Sequence, residues 1–93
     1  MAITHVEGKN AGQVMLYALS TCAWCKMTKQ LLTDLGVAFD YTFVDLLQGA
    51  EQDAAIREVK SVNPSCSFPT LVVKGQCIVG YQEAKIREAL TNG

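Results

Sequence analysis

At 93 residues the chain can build one hydrophobic core, which argues against a second catalytic or cofactor-binding domain. With 49% hydrophobic residues and only two prolines it can offset the entropy of ordering by burial, so no segment reads as a disordered tail. A net charge of -1, with eight scattered Lys and Arg, leaves no basic surface for phosphates and argues against nucleic acid as a partner.

Residues 1–12 contain Gly8, Asn10 and Gly12 and little periodicity, and read as an N-terminal lead-in with at most a brief strand; residues 13–93 read as one domain. The start of the chain shows no basic lead before an apolar core, and no later run approaches the about 18 apolar residues of a membrane span. A cytoplasmic protein without a membrane partner is expected. Val14 to Leu19 is a short apolar run, as in a strand buried on both faces. From Ala23 the period changes: Met27, Leu31 and Leu35 recur every four residues beside Leu32, which predicts a helix, ended by Gly36 in the left-handed position. Val37, Phe39, Tyr41 and Phe43 then alternate along a second strand.

A second helix is predicted from Ala50 to about Val62, with Ala55, Ile56, Val59 and Val62 inward, and Asn63-Pro64 stops it. Thr70 to Val73, the turn at Lys74-Gly75 and Gln76 to Val79 form a hairpin. After Gly80 a last helix over residues 82–90 packs through Ala84, Ile86 and Leu90. Right-handed crossovers make the first two strands parallel, and the hairpin adds an antiparallel edge. The expected fold is α/β, a four-stranded mixed sheet flanked by three helices.

Two of the four cysteines, in Ser20-Thr21-Cys22-Ala23-Trp24-Cys25, stand between the first strand and the first helix. Chemistry in open α/β sheets gathers at the carboxyl ends of strands, where this loop lies. Three residues along a helix place two Cα atoms about 5 Å apart, within disulfide range, so the pair can close without moving the backbone. Unpaired N–H groups and the positive dipole end at a helix start favour a thiolate, which makes Cys22 the nucleophile. Cys25, one turn in, is the shielded thiol that resolves a mixed disulfide at Cys22. Such exchange needs no metal and no organic cofactor.

Two other readings stand beside redox exchange. Structural zinc needs four ligands, yet Cys66 and Cys77 form no second close pair and His5 is remote. Two inert buried thiols remain the bland alternative. Cys66, three residues before Pro69, is a candidate third redox thiol or an ordinary loop or core cysteine; Cys77, on a strand, is expected to be buried, and Met15 and Met27 are assigned to the core.

Three short stretches, Cys22-Ala23-Trp24-Cys25, Ser67-Phe68-Pro69-Thr70 and Gly80-Tyr81, occur in this order within a match from about Val14 to Leu90. In them the chain resembles the glutaredoxin and thioredoxin superfamily and, within it, the small glutaredoxin-like proteins. The resemblance implies a thioredoxin fold and thiol-disulfide oxidoreductase activity. It implies that Pro69 is a cis-proline facing the cysteines, although the X-Pro prior alone, with about 5% cis in folded proteins, predicts trans. It also implies that Phe68 pairs through its backbone with a peptide or with glutathione joined to Cys22. Thr21, Ala23, Trp24, Gly80 and Tyr81 complete the implied substrate-binding set. For Trp24 this role stands beside partial core packing.

Departures from the glutaredoxin pattern bear on the electron donor. Ala23 replaces the proline of Cys-Pro-Tyr-Cys, Leu19 stands where many glutaredoxins have lysine, and Tyr81 replaces a second glycine. Gly80-Tyr81 looks more like redoxins recharged by thioredoxin reductase or a related flavoprotein, while Glu83 keeps glutathione open as a co-substrate. Three functions follow in order: reduction of client protein disulfides with a flavoprotein or other disulfide reductase as donor, glutathione-dependent exchange, and an iron-sulfur cluster carrier ligated by Cys22. A monomer is expected.

Overall fold

A computed structural model describes residues 2–91. Its central strand, β2 (Val14–Ala18), is apolar and covered on both faces, with Leu16 fully buried. It runs parallel to β3 (Phe39–Phe43), Met15 opposite Asp40 and Ala18 opposite Phe43. On its other side it pairs antiparallel with β4 (Thr70–Val73), Leu16 opposite Leu71, and β4 pairs antiparallel with β5 (Gln76–Val79). Lys74 and Gly75, both with left-handed φ, close that hairpin in two residues, as the twist of an antiparallel pair favours.

The sheet has five strands, not the expected four. Residues Thr4–Val6 form β1, antiparallel to β3, and the order is β1-β3-β2-β4-β5. Three mostly exposed residues carry no readable alternation, so this strand is defined by what it meets. His5 Nδ1 lies 2.6 Å from Asp40 Oδ1, and the Thr42 hydroxyl donates to the Ala2 carbonyl at 2.9 Å. Beyond β1 the backbone of Lys9 bonds Gly36 and Ala38 at 2.8 Å each. Gly8 permits this approach, since a Cβ there would lie 2.5 Å from the Val37 carbonyl carbon.

Helix α1 (Ala23–Asp34) and helix α3 (Glu83–Thr91) share one face of the sheet, where Leu31, Leu32, Ile86 and Leu90 pack with Leu16, Phe39 and Leu71. Helix α2 (Gly49–Val62) lies on the other, where Ala55 and Val59 pack with Tyr17, Val44 and Leu47. Gly36, at φ 72, follows α1 as its sequence position requires. The Phe39, Tyr41 and Phe43 rings line one face of β3, with Lys29 Nζ of α1 4.4 Å from the Tyr41 ring centroid.

Three assignments to the core are corrected. Met27 is 45% exposed, because the inward face of α1 runs through Cys25, Thr28, Leu31 and Leu32. Thr28 is admitted to that face because its hydroxyl donates to the Trp24 carbonyl at 2.9 Å. Val62, in the last turn of α2, and Ala84, in the first turn of α3, are also exposed. Each lies at a helix end, away from the positions that α2 and α3 bury, Ala55 and Val59 on the one and Ile86 and Leu90 on the other. Met15 packs against the α2-side cluster. Among the described residues no helix is long and apolar enough to cross a membrane.

Candidate active site

Cys22 is the N-cap of α1, with extended backbone (φ -88, ψ 118). Its Sγ accepts the Cys25 N–H at 3.2 Å, where a serine or aspartate oxygen would serve in most helices. Its carbonyl opens the helix ladder by accepting from Lys26 N–H at 3.1 Å, and its own N–H bonds the Leu19 carbonyl at 3.2 Å. The sulfur is thus half-buried yet held against a backbone donor at the positive end of the helix. The two cysteines the sequence pairs are brought together as a Cys-x-x-Cys couple.

Cys25 differs sharply from its neighbour. It is 1% exposed and belongs to the core beneath α1. Burial, with smaller contributions from its hydrogen bond and charge interaction with Cys22 and from the Asp45 charge, pushes its thiol up to about 12. A raised thiol pKa means fewer thiolates at any working pH, about one in ten thousand at pH 8. Iodoacetamide should therefore label Cys22 well before Cys25, the Cys25 rate rising about tenfold per pH unit between pH 8 and 10. Peptide mass mapping checks this, and equal labelling of both at pH 8 would contradict the assignment.

The Phe68-Pro69 bond is cis, as the resemblance implies and the X-Pro prior does not. Pro69 is buried, and its carbonyl accepts the Gly80 N–H at 2.9 Å, which ties the end of β5 to this loop. Phe68, like Cys22, packs against the core on the α1 side. The indole of Trp24 is 58% exposed and stacks on Tyr81, ring centroids 5.8 Å apart and planes at 27°. Partial core packing of Trp24 is thereby corrected, and its contact is made at the surface. Thr21 and Ala23 flank Cys22 on the exposed rim. Leu19 turns to the α2-side cluster, away from the core that Cys22 meets.

The remaining cysteines lie elsewhere. Cys66 packs into the α2-side cluster, in a left-handed conformation (φ 50) costly for a non-glycine residue. Cys77, expected to be buried, is only half-covered, because β5 is the edge strand of the sheet. Among the described residues no group of three or more His, Cys, Asp or Glu is placed to hold a metal ion.

Two features escaped sequence reasoning. Buried Asn63, just after α2, donates to the Ser67 carbonyl, the Ser67 hydroxyl and Thr70 Oγ1 at 3.0 to 3.2 Å, while the Thr70 hydroxyl donates to the Ser67 carbonyl at 2.6 Å. This fully paired network braces the loop that ends in Pro69. The only sequence signal was Asn63-Pro64, legible as a helix stop. The second is Asp45, which bonds Ser20 from 25 residues away.

A mixed sheet between helices on both faces, with a Cys-x-x-Cys pair capping the first helix, defines a thioredoxin-like fold carrying a dithiol. The glutaredoxin family model matches residues 14–78. The chain belongs to the glutaredoxin family. A glutaredoxin of Methanosarcina mazei Go1 is 54% identical, with TM-score 0.89 over 95% of this chain and 86% of its own. A methanoredoxin of Methanosarcina acetivorans is 55% identical, with TM-score 0.87 over 89% and 88%. An uncharacterized glutaredoxin-like protein from a rubredoxin operon of Clostridium pasteurianum is 30% identical over 78% of this chain and 91% of its own.

Proposed function

We propose that the protein is a thiol-disulfide oxidoreductase that reduces protein disulfides by dithiol exchange, with Cys22 as nucleophile and Cys25 as resolving thiol. The carrying observation is the asymmetry of the pair: a half-exposed sulfur capping the helix and a buried one whose thiol is raised to about 12. Cys22 thiolate attacks one sulfur of a client disulfide; the client S–S bond breaks, and the departing sulfur leaves as thiolate and takes a proton. Cys25 then gives its proton to solvent and attacks Cys22 Sγ, and the electron pair of the mixed disulfide leaves with the client's second sulfur. The client gains two electrons and the Cys22–Cys25 couple loses them.

Burial and the adjacent Cys22 sulfur raise the Cys25 thiol in the free protein, which favours placing the resolving step after Cys22 Sγ has been covalently engaged in the mixed disulfide. Trp24 and Tyr81 offer a flat apolar surface beside Cys22 for the client, and Phe68 before cis-Pro69 offers backbone for an extended segment. Thr21, Ala23 and Gly80 form the rim between these contacts.

We assign recharging to a flavoprotein reductase of the thioredoxin-reductase kind. Position 19 carries no cation, and the Glu83 carboxylate is already engaged, 2.9 Å from Arg87 Nε and 3.4 Å from Tyr81 Oη. Both positions are therefore poorly provided for the charges of glutathione. The test is a thiol count on oxidised protein after incubation with NADPH and thioredoxin reductase, set against NADPH, glutathione and glutathione reductase. Two new thiols from the first mixture alone are expected. Reduction by the glutathione mixture alone overturns the choice of donor, and reduction by neither donor nor a chemical dithiol overturns the redox reading.

A further inference from the structure

β2 and β3 are parallel, with Ala18 opposite Phe43, so the residues two beyond each strand end, Ser20 and Asp45, come out side by side at the same sheet edge. Asp45 lies in a single 3-10 turn, Val44–Leu46, whose cap makes no side-chain hydrogen bond. Its carboxylate is turned to the neighbouring segment instead. Oδ1 accepts the Ser20 N–H at 2.8 Å and Oδ2 accepts the Ser20 hydroxyl at 2.5 Å, so both oxygens grip one residue. These bonds hold the Asp45 carboxyl below its ordinary range, and it stays ionised throughout the working pH range.

The next links continue toward the sulfurs. Cys22 N–H bonds the Leu19 carbonyl across Ser20 and Thr21, and Cys22 Sγ then receives the Cys25 N–H. Segment 19–22 is therefore pinned at one end by β2, at the other by the helix cap, and in the middle by the Asp45 carboxylate.

We propose that Asp45 is a positioning residue for the dithiol couple, acting through Ser20 to fix the turn that delivers Cys22 to the helix start within reach of Cys25. This rests on the reading of Cys22 and Cys25 as an exchanging pair. Because reaction between two held groups depends steeply on their relative placement, loosening the turn acts on ring closure more than on the first attack, which an incoming disulfide can make from many directions. The Asp45 charge also contributes to the raised Cys25 thiol, behind burial and Cys22. Its removal shifts the pH dependence of closure downward, a change that a purely structural role would not produce.

The experiment uses dithionitrobenzoate in a Cys66→Ser/Cys77→Ser background that removes the competing thiols. Cys22 attack breaks the reagent disulfide and releases one coloured thiolate; Cys25 attack on Cys22 Sγ releases the second, so the two steps are timed separately in a single trace. In Asp45→Ala the second release should slow about tenfold at a pH near 8 while the first stays within about twofold. In Asp45→Asn, which keeps the amide oxygen as an acceptor, the second release should be largely restored and its pH profile should lie lower than that of the parent. Ser20→Ala should slow closure without moving the profile. Closure in Asp45→Ala within twofold of the parent at every pH, or equal slowing of both releases, overturns the proposal. A parent protein that releases only one thiolate overturns the dithiol reading itself, so the two failures are distinguishable.

Discussion

Replacing Cys22 with serine is expected to lower disulfide exchange by at least about a thousandfold, while Cys25→Ala leaves the first attack intact and arrests the protein as a mixed disulfide. The reason for the first loss is chemical, since an uncharged hydroxyl does not displace a thiolate from sulfur. It is not a folding loss: serine is a better N-cap than cysteine, and the Cys25 N–H keeps its acceptor. The thermal midpoint of Cys22→Ser should therefore equal or exceed that of the parent, which separates loss of the nucleophile from loss of the fold. Alanine is chosen at position 25 because the site is 1% exposed and a serine hydroxyl would be buried there, at a cost of roughly 1–3 kcal/mol if left unpaired. In a Cys66→Ser/Cys77→Ser background, intact-mass measurement after adding a disulfide client should show the client joined to Cys22 in Cys25→Ala and nothing joined in Cys22→Ser. Normal, equal turnover by both variants would sink the assignment of roles.

Leu32→Ala should destabilise the protein by about 2–5 kcal/mol, a large part of the roughly 5–15 kcal/mol typical of a whole domain. Leu32 is fully buried in the cluster that joins α1 to the sheet, together with Leu16, Phe39 and Ile86. Its truncation removes apolar contact on every side and leaves a cavity below the helix that carries the cysteines. Met27, five positions earlier on the same helix, is 45% exposed, and Met27→Ala should stay within about 0.5 kcal/mol of the parent. Urea unfolding at neutral pH under reducing conditions measures both. A Leu32→Ala midpoint no lower than that of Met27→Ala would show that α1 is oriented differently on the sheet.

That pair of residues also marks how far the sequence could be read. Both belong to an apolar pattern that correctly predicts a helix ending at Gly36, yet repetition at four fits several faces of a helix. Which face turned inward was decided by Thr28, a polar residue made compatible with burial by its bond to the Trp24 carbonyl. The strands over 14–18, 70–73 and 76–79 were legible because short apolar runs ended at glycine or at a tight turn. β1 was not, since three mostly exposed residues acquire their structure from Asp40 and Thr42 far along the chain. At the site, the cysteine spacing, Pro69 and Gly80-Tyr81 were visible as short motifs. Asp45 and Asn63 were not, because the strand register that sets Asp45 beside Ser20 and the buried pocket that accepts Asn63 exist only after folding.

The Cys22 cap has a thermodynamic consequence for electron transfer. The bond from the Cys25 N–H ends on the sulfur whose oxidation state changes, and a thiolate accepts it more strongly than a disulfide sulfur does. Helix start and redox couple are therefore linked equilibria, and whatever the cap contributes to the reduced form displaces the midpoint potential toward more oxidising values. A cap worth about 1 kcal/mol corresponds to about 20 mV for a two-electron couple. Sequence changes confined to the first turn of α1 can thus retune which donors and clients stand downhill of this protein without touching either sulfur.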